Sequence, residues 1–584
     1  MVSGGLKASL LGALSTLGAA NVVTAATHCK VLPGDANWPT QAEWDALNRE
    51  VGGRLLGPVV PLSAPCHDNP AGLGEYNEAE CKSITDNWTK PQIHIEHPTD
   101  IMSPLFSNNT CLYSTDKTSP CTIGYYPVYV VNVSAPEHAA AAVRFASEKN
   151  LRLNIKNTGH DFLGRSTGRG ALSVWTAHLK DIEIIDKYTG GTPYSGSAVK
   201  VGAGVSSQEI YEATDKVGKM VVGGEQPTVG FGGGYMAGGG HSPLSSLHGM
   251  AVDAVLEFDI VLANGTLITV DQKNNPDLYW AVRGAGISSY GVVVSWTLRT
   301  FDTVPTTVIR LSFASSDENK YWEAVSKFIE IGPSMTDKGI YSYYFPEFNN
   351  TKIAPVFAPK LTISEVDALL KPLYDVLEKN EIPYVRNASH YDTFLSAWRG
   401  APELPSFDPE PVGGQSILMS RLIPRQTVEN NLAGVVEQFK KFSKLTDGQG
   451  HCVVFNQAPT LAAGGEFSDN AVNPAWRKAA IHFITSWRQT ADDPVPVIEE
   501  KRREYVLNTF QSMRDLCPDS GAYINEASTI EPNFQQAFYG GGERYKRLLR
   551  IKKKYDPNSV FWATAAVGSE EWIENDGVLC RKQC

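Results

Sequence analysis

The stretch Asn154-Ile155-Lys156-Asn157-Thr158-Gly159-His160-Asp161-Phe162-Leu163-Gly164-Arg165-Ser166 packs two glycines, a histidine and several polar side chains into one short bend. What precedes it gives the bend a frame. Residues 125–133 form an aromatic and β-branched run that reads as a strand. Pro136 and Glu137 then open an alanine-rich helix to about 150, and residues 151–155 read as a second strand. A β-α-β unit whose second strand runs into glycines is a cradle for phosphate. Amides unshielded by side chains approach the anion closely, and a histidine there faces whatever is bound.

Downstream, the text keeps alternating short strands and breaks. Strands are expected at 170–179, 181–185 and 199–205, a helix at 207–217, and a second glycine cluster from Gly223 to Gly240. Two familiar motifs appear in that cluster and fail on context. Gly232, Gly234 and Ala237 fit GxGxxA with Asp253 downstream, but more glycines and Pro243 follow, so no ordinary helix can begin there to present its N-terminus. Ser242 lacks the closing glycine of a hydrolase elbow, since Leu244 stands in its place. Val229, Phe231, Tyr235 and Met236 interrupt the glycines and ask to be buried, which argues against a mere surface loop. A hairpin around Asn264-Gly265, a capped helix from Asn275 and a β-branched strand at 290–299 close the region.

At 584 residues the chain exceeds one core, and its 42% hydrophobic and 20% charged content is ordinary for a globular protein. A net charge of −11 excludes a nucleic-acid partner bound through basic surplus. Residues 1–26 read as a secretory leader: Lys7, an apolar and small-residue run, then Val23-Thr24-Ala25-Ala26. No other apolar run is long enough to cross a membrane, so no anchor is expected, and the protein is placed in the secreted or endomembrane lumen. Six glycosylation sequons, at Asn87, Asn108, Asn132, Asn264, Asn349 and Asn387, agree and imply surface loops. Of nine cysteines, Cys29, Cys66, Cys81, Cys111 and Cys121 crowd the first part of the chain, with Cys452, Cys517, Cys580 and Cys584 far behind. Without a CxxC these read as disulfides rather than zinc ligands, with one thiol left over. His94, Glu96 and His97 lack the helical frame of a metal site, and no metal is expected.

Seven collinear blocks carry a resemblance: KNTGHDFLGRS from Lys156, WTAHLK from Trp175, QPTVGFGGGYMAGGGHS from Gln226, NPDLYWAVRGAG from Asn275, NPAWR from Asn473, GAYINEA from Gly521 and KKYDPNSVFWA from Lys553. Together they resemble the berberine-bridge-enzyme-like, FAD-linked oxidoreductases of the vanillyl-alcohol-oxidase superfamily, in the fungal branch with isoamyl-alcohol-oxidase-type members. The resemblance implies an α+β fold: a two-subdomain PCMH-type FAD-binding domain plus an antiparallel-sheet substrate domain backed by helices. Residues 27–120 then form a disulfide-stapled extension, 121–302 the FAD domain, 303–528 the substrate domain, and 529–584 a return to the FAD domain that ends in a last strand.

The same resemblance assigns roles. His160 bonds covalently to the flavin 8α carbon. Lys156, Asn157, Thr158, Gly159, Asp161, Gln226, Pro227, Thr228, Val229, Gly230, Gly233, Gly239, Gly240, His241 and Asn525 hold the cofactor. Many relatives add a second link through a cysteine where this chain has Gln226, so a single tether is implied. Val229 goes with oxygen access. Tyr523 is the implied base, although a phenol, ordinarily near pKa ~10, would have to be lowered to act at neutral pH. Glu526 replaces the tyrosine of plant members. The activity implied is a monomeric oxidase of small alcohols or amines, using dioxygen and releasing hydrogen peroxide. Oxidative ring closure, carbohydrate oxidation and a non-catalytic glycoprotein are the alternatives.

Overall fold

The computed structural model describes residues 29–68, 72–347, 349–400, 412–445, 450–459, 469–489 and 494–582; the expected leader and Cys584 lie outside them. The β-α-β reading holds. Tyr129–Asn132 and Leu153–Lys156 both pair in parallel with Leu172–Trp175, which lies between them, and Leu55–Leu56 adds an antiparallel edge. The helix Pro136–Glu148 makes the crossover, started by proline at its first turn and burying Ala139, Ala142, Val143 and Ala146 against the sheet. Strands covered on both faces are nearly all buried, as parallel strands require.

A second sheet is wholly antiparallel, in the order Ile182–Ile185, Ala198–Gly202, Val292–Arg299, Val255–Val261, Leu267–Asp271. Its last two strands form the hairpin around Asn264-Gly265, with Gly265 at φ 79°. The third sheet has seven antiparallel strands, from Tyr384–Tyr391 at one edge through Thr306–Ala314, Asn350–Pro359, Tyr341–Pro346, Gly450–Asn456 and Ala479–Gln489 to Gln415–Pro424. Helices Glu318–Thr336, Ile363–Lys379 and Leu432–Lys444 back one face and bury an aliphatic and aromatic core there. The other face, carrying Tyr343, Phe345, Leu418, Phe455 and Ile484, turns towards the FAD-side sheets.

The N-terminal stretch is more regular than its composition suggests, with helices Gln41–Glu50, Glu78–Asn87 and Pro91–Glu96. Three disulfides form: Cys66–Cys81, Cys111–Cys121 and Cys29–Cys580, while Cys452 and Cys517 are free and buried. The chain's last strands, Trp572–Asn575 and Val578–Arg581, pair as a hairpin of their own, while its return to the first sheet after helix Gly542–Tyr555 is a single bridge, Leu153 to Phe561. Asp556 explains the brevity: it is spent on Lys552 and on the amides of Val560 and Phe561, which fixes a turn there. Of the sequons, Asn264, Asn349 and Asn387 are exposed, whereas Asn132 sits in a strand with its Oδ1 buried, so that position is no surface loop. Among the described residues no helix is long and apolar enough to cross a membrane.

Candidate functional site

A cavity of about 1080 Å³ lies where the three layers meet. One wall is the bend after Leu153–Lys156. Gly159 takes φ 91° there, a conformation a side chain resists, and its carbonyl accepts from Met102. Asp161 stiffens the bend by accepting from the amides of Leu163 (3.1 Å) and Arg165 (2.6 Å) and from the Arg165 guanidinium. Arg165 in turn donates to Asn525 Oδ1 at 3.2 Å, locking the bend to the Tyr523-Ile524-Asn525 segment. His160 faces the cavity. Its Nε2 lies 2.8 Å from Thr228 Oγ1, and Nδ1 has no hydrogen bond among the described residues. Burial, reinforced by the charge of His94, lowers its pKa to about 3, so the imidazole is neutral.

The glycine cluster forms the facing wall as a short helical stretch, Phe231–Tyr235, kinked at Gly233 (φ −93°, ψ −135°) and entered by Val229 and Gly230. Phe231 and Met236 are buried, as their chemistry asked. Asn157 shows how closely the two walls meet. A Cβ on Gly230 would fall 2.1 Å from its Oδ1 and one on Gly233 3.0 Å from its side-chain amide, whereas Gly234 opens on empty space. That Oδ1 is buried without a partner, although Nδ2 donates to Ala203 O at 2.7 Å and Thr176 Oγ1 at 3.1 Å. A bare cradle of backbone amides, an orphaned acceptor and a volume above that of ordinary small-ligand pockets fit a dinucleotide such as FAD.

A further part of the cavity wall is polar and crowded. Tyr523 OH accepts from Asn525 Nδ2 at 2.8 Å, and the same amide donates to Gly234 O at 3.1 Å. Burial and then the charge of Glu526 push the Tyr523 phenol far up, opposite to the lowering that a tyrosine base needs. Glu526 contacts His241 Nε2 through both oxygens, at 3.1 and 3.2 Å. Burial alone would raise this carboxyl and lower this imidazole. Their mutual attraction reverses both, holding Glu526 below its ordinary range and His241 up at about 8. His482, fully buried behind them, is lowered by burial to about 3. Glu225, also lining the cavity, accepts from Tyr341 OH at 2.5 Å, and burial raises its pKa.

Of the residues singled out from sequence, Asn157, Thr158, Gly159, His160, Asp161, Gln226, Val229, Gly230, Gly233, His241, Tyr523 and Asn525 line this one cavity. Five do not. Lys156 points away by strand alternation and spends its ammonium on the carbonyls of His94, Ile95 and His97. Pro227 is buried beneath the wall, and Thr228 reaches the site through His160. Gly239 and Gly240, at φ 118° and 71°, serve the packing of Val472, Tyr235 and Ala251. Asp253, the acid of the rejected dinucleotide motif, binds Arg477 and Asn470 instead. His94 is likewise structural, between Asp100 and Trp88 O. Sequence reasoning missed Glu225, His482 and the extension's Trp88 and Tyr113, which also line or back the cavity. Only Glu526, as a departure from a familiar tyrosine, left a signal.

Fold and site together define a flavin-dependent oxidoreductase, and the comparisons agree. The FAD binding domain family matches residues 127–271, and the berberine and berberine-like family matches 522–568. The chain is 37% identical over 561 residues to the FAD-linked oxidoreductase patO of Aspergillus clavatus, covering 95% of each. It is 37% identical to the VAO-type flavoprotein oxidase VAO615 of Thermothelomyces thermophilus, over 99% of this chain and all of that one. The crystal structure of MtVAO615 from Myceliophthora thermophila superposes with a TM-score of 0.87 at 35% identity, covering 95% of this chain and 100% of that one. The protein therefore belongs to the berberine-like FAD-linked oxidoreductases of the vanillyl-alcohol-oxidase superfamily, and it is an FAD oxidoreductase.

Proposed function

We propose that the protein is an oxidase that takes hydride from the carbinol or amine carbon of a small organic molecule, with FAD tethered through His160 alone and dioxygen as the final acceptor, reduced to hydrogen peroxide. The observation that carries this reading is one cavity lined by both a neutral His160 and the Glu526–His241 pair. Bound there, the flavin supplies hydride acceptance and reoxidation by oxygen. The chain's residues do the rest. Thr228 engages His160 Nε2, leaving the Nδ1 lone pair for the covalent bond. Gln226 has an amide where a second tether would need a thiolate. Val229 keeps the wall small where oxygen would approach.

Tyr523, neutral and already accepting from Asn525, has its proton free to donate to the substrate oxygen. The Glu526 carboxylate receives the substrate's proton as the hydride leaves its carbon. Tyr343, Phe345, Leu418, Val453, Phe455 and Ile484 exclude water and suit a compact apolar or aromatic alcohol better than a carbohydrate. A relative 36% identical, the bifunctional decalin synthase calF of Penicillium decumbens, makes oxidative ring closure in secondary metabolism the second reading, since it would begin with the same hydride step. Three disulfides suit a secreted protein.

Acid denaturation should leave yellow flavin on the polypeptide, and aromatic and aliphatic alcohols should give peroxide in air. Flavin that washes away would overturn the tether. A panel that neither bleaches the flavin anaerobically nor yields peroxide would overturn the oxidase.

A further inference from the structure

His482 is the unexplained residue of the site. It is wholly buried on strand Ala479–Gln489, and neither ring nitrogen makes a hydrogen bond. Leaving a buried polar group unpaired costs about 1–3 kcal/mol, so such a group calls for a missing partner. Two other buried histidines show the contrast. His94 uses both nitrogens, on Asp100 and Trp88 O, and His67 uses both, on Ser119 O and Leu112 O.

His482 Nδ1 lies 3.6 Å from Glu526 Oε2, and Glu526 lies 3.1 Å from His241 Nε2. One ligand atom from each of the three residues falls within 4.8 Å of the others. A tetrahedral zinc with bonds of about 2.0–2.1 Å spaces its ligand atoms about 3.3 Å apart. Two imidazoles and one carboxylate, with the fourth position open to a cavity, is the donor set of an open zinc site. His67 with Cys111 and Cys121 is the other cluster of this kind, and it is disqualified because both sulfurs are in a disulfide and both His67 nitrogens are taken.

A further group fits. Gln457 Nε2 sits 3.4 Å from His241 Nδ1, and its Oε1 is buried with no partner. A half-turn of that amide would let Nδ1–H donate to Oε1, so that Nε2 can ligate a metal once binding has released its proton to solvent. This is the outer bond that metal-ligating histidines commonly make.

We infer that His241, His482 and Glu526 form a site for a zinc-class divalent cation, oriented by Gln457, whose occupancy takes the proton acceptor away from the substrate. Binding replaces the His241–Glu526 hydrogen bond with two metal bonds and satisfies His482. The cation and the alcohol oxygen then compete for one corner of the cavity. The inference rests on the proposed reading only in naming what the cation blocks, because the binding itself is measured without turnover.

The test uses the full-length holoprotein, stripped with a chelator and titrated with Zn2+ or Co2+ alone. Metal retained after desalting should reach one equivalent. Co2+ should show tetrahedral visible bands to the red of the flavin, which Zn2+ removes. His482→Ala and Glu526→Gln should each weaken binding by tenfold or more at unchanged flavin content, and Gln457→Leu by about 10–100-fold. Wild-type protein that retains no metal overturns the inference whatever the variants do. So does undiminished binding in well-folded His482→Ala. Peroxide formation that persists in metal-free protein leaves the oxidase reading standing in either case.

Discussion

At the scale of single residues, the tether and the acid-base chemistry make separable demands. His160 has one hydrogen-bonded nitrogen, one unbonded nitrogen and no charge at neutral pH, which is what a histidine needs to attack an electrophilic carbon. Gln226 offers no second anchor. His160→Ala should therefore yield protein whose flavin is lost completely on acid denaturation, measured as absorbance left on the precipitated chain; flavin that stays attached would mean another tether exists. The acid-base work divides between Glu526 and Tyr523. Glu526→Gln should slow anaerobic flavin bleaching by an alcohol about 10²–10⁴-fold, the range of a positioned general base, with covalent flavin unchanged. Tyr523→Phe, losing a neutral donor, should cost about 10²–10³-fold, as a missing oxyanion donor does. A far larger loss in the phenylalanine variant than in the glutamine one would return the base role to tyrosine.

Elements determine how the turn that carries His160 is held. Leu153–Lys156 ends with Ile155 facing the cavity and Lys156 facing the opposite side, where its ammonium stitches the strand to helix Pro91–Glu96 through three carbonyls and lies 5.0 Å from the Trp175 ring centroid. Burial lowers this lysine from 10.5 to about 7. The unfolded chain therefore binds the extra proton between those values, and stability rises with pH across that window. Below about 7 the ammonium is charged in both states and the contribution is flat. Lys156→Met should remove the rise, seen as a shallower increase of the denaturation midpoint on going from neutral to alkaline buffer; parallel curves for the two proteins would refute it. The same lysine shows what local text can and cannot say. Its place in the KNTGHD block was legible because the glycine bend and the preceding alternation are local. Its direction was not, because a strand's two faces are told apart only by what packs on them. His482 and Glu225 were hidden for the same reason, lying on segments brought to the cavity by the seven-stranded sheet and the glycine cluster. The helix Pro136–Glu148 could be read within a few residues, since proline marks its start.

The whole molecule is closed on itself at the chain's ends. Cys29 and Cys580 are joined across 551 residues of sequence, beside the bridges Val31 to Leu151 and Leu153 to Phe561, so the first and last described segments are fastened to the sheet that carries His160. Nothing local in the sequence pairs these cysteines. The crowd near the N-terminus suggests partners among neighbours, and that holds only for Cys66–Cys81 and Cys111–Cys121, separated by 15 and 10 residues. A cross-link stabilises mainly by restricting the unfolded chain, and the restriction grows with the loop it closes: about 3 kcal/mol for a loop near fifteen residues, and about 4.7 kcal/mol for one of a hundred. Cys29→Ser should therefore lower stability by about 2–4 kcal/mol or more, read as a fall in the urea midpoint with the covalent flavin still in place, and by more than Cys111→Ser does. If Cys29→Ser loses nothing, the ends are held by packing alone: the buried Lys552–Asp556 pair and the Tyr290 OH bond to Leu548 O would then carry the closure without the sulfur.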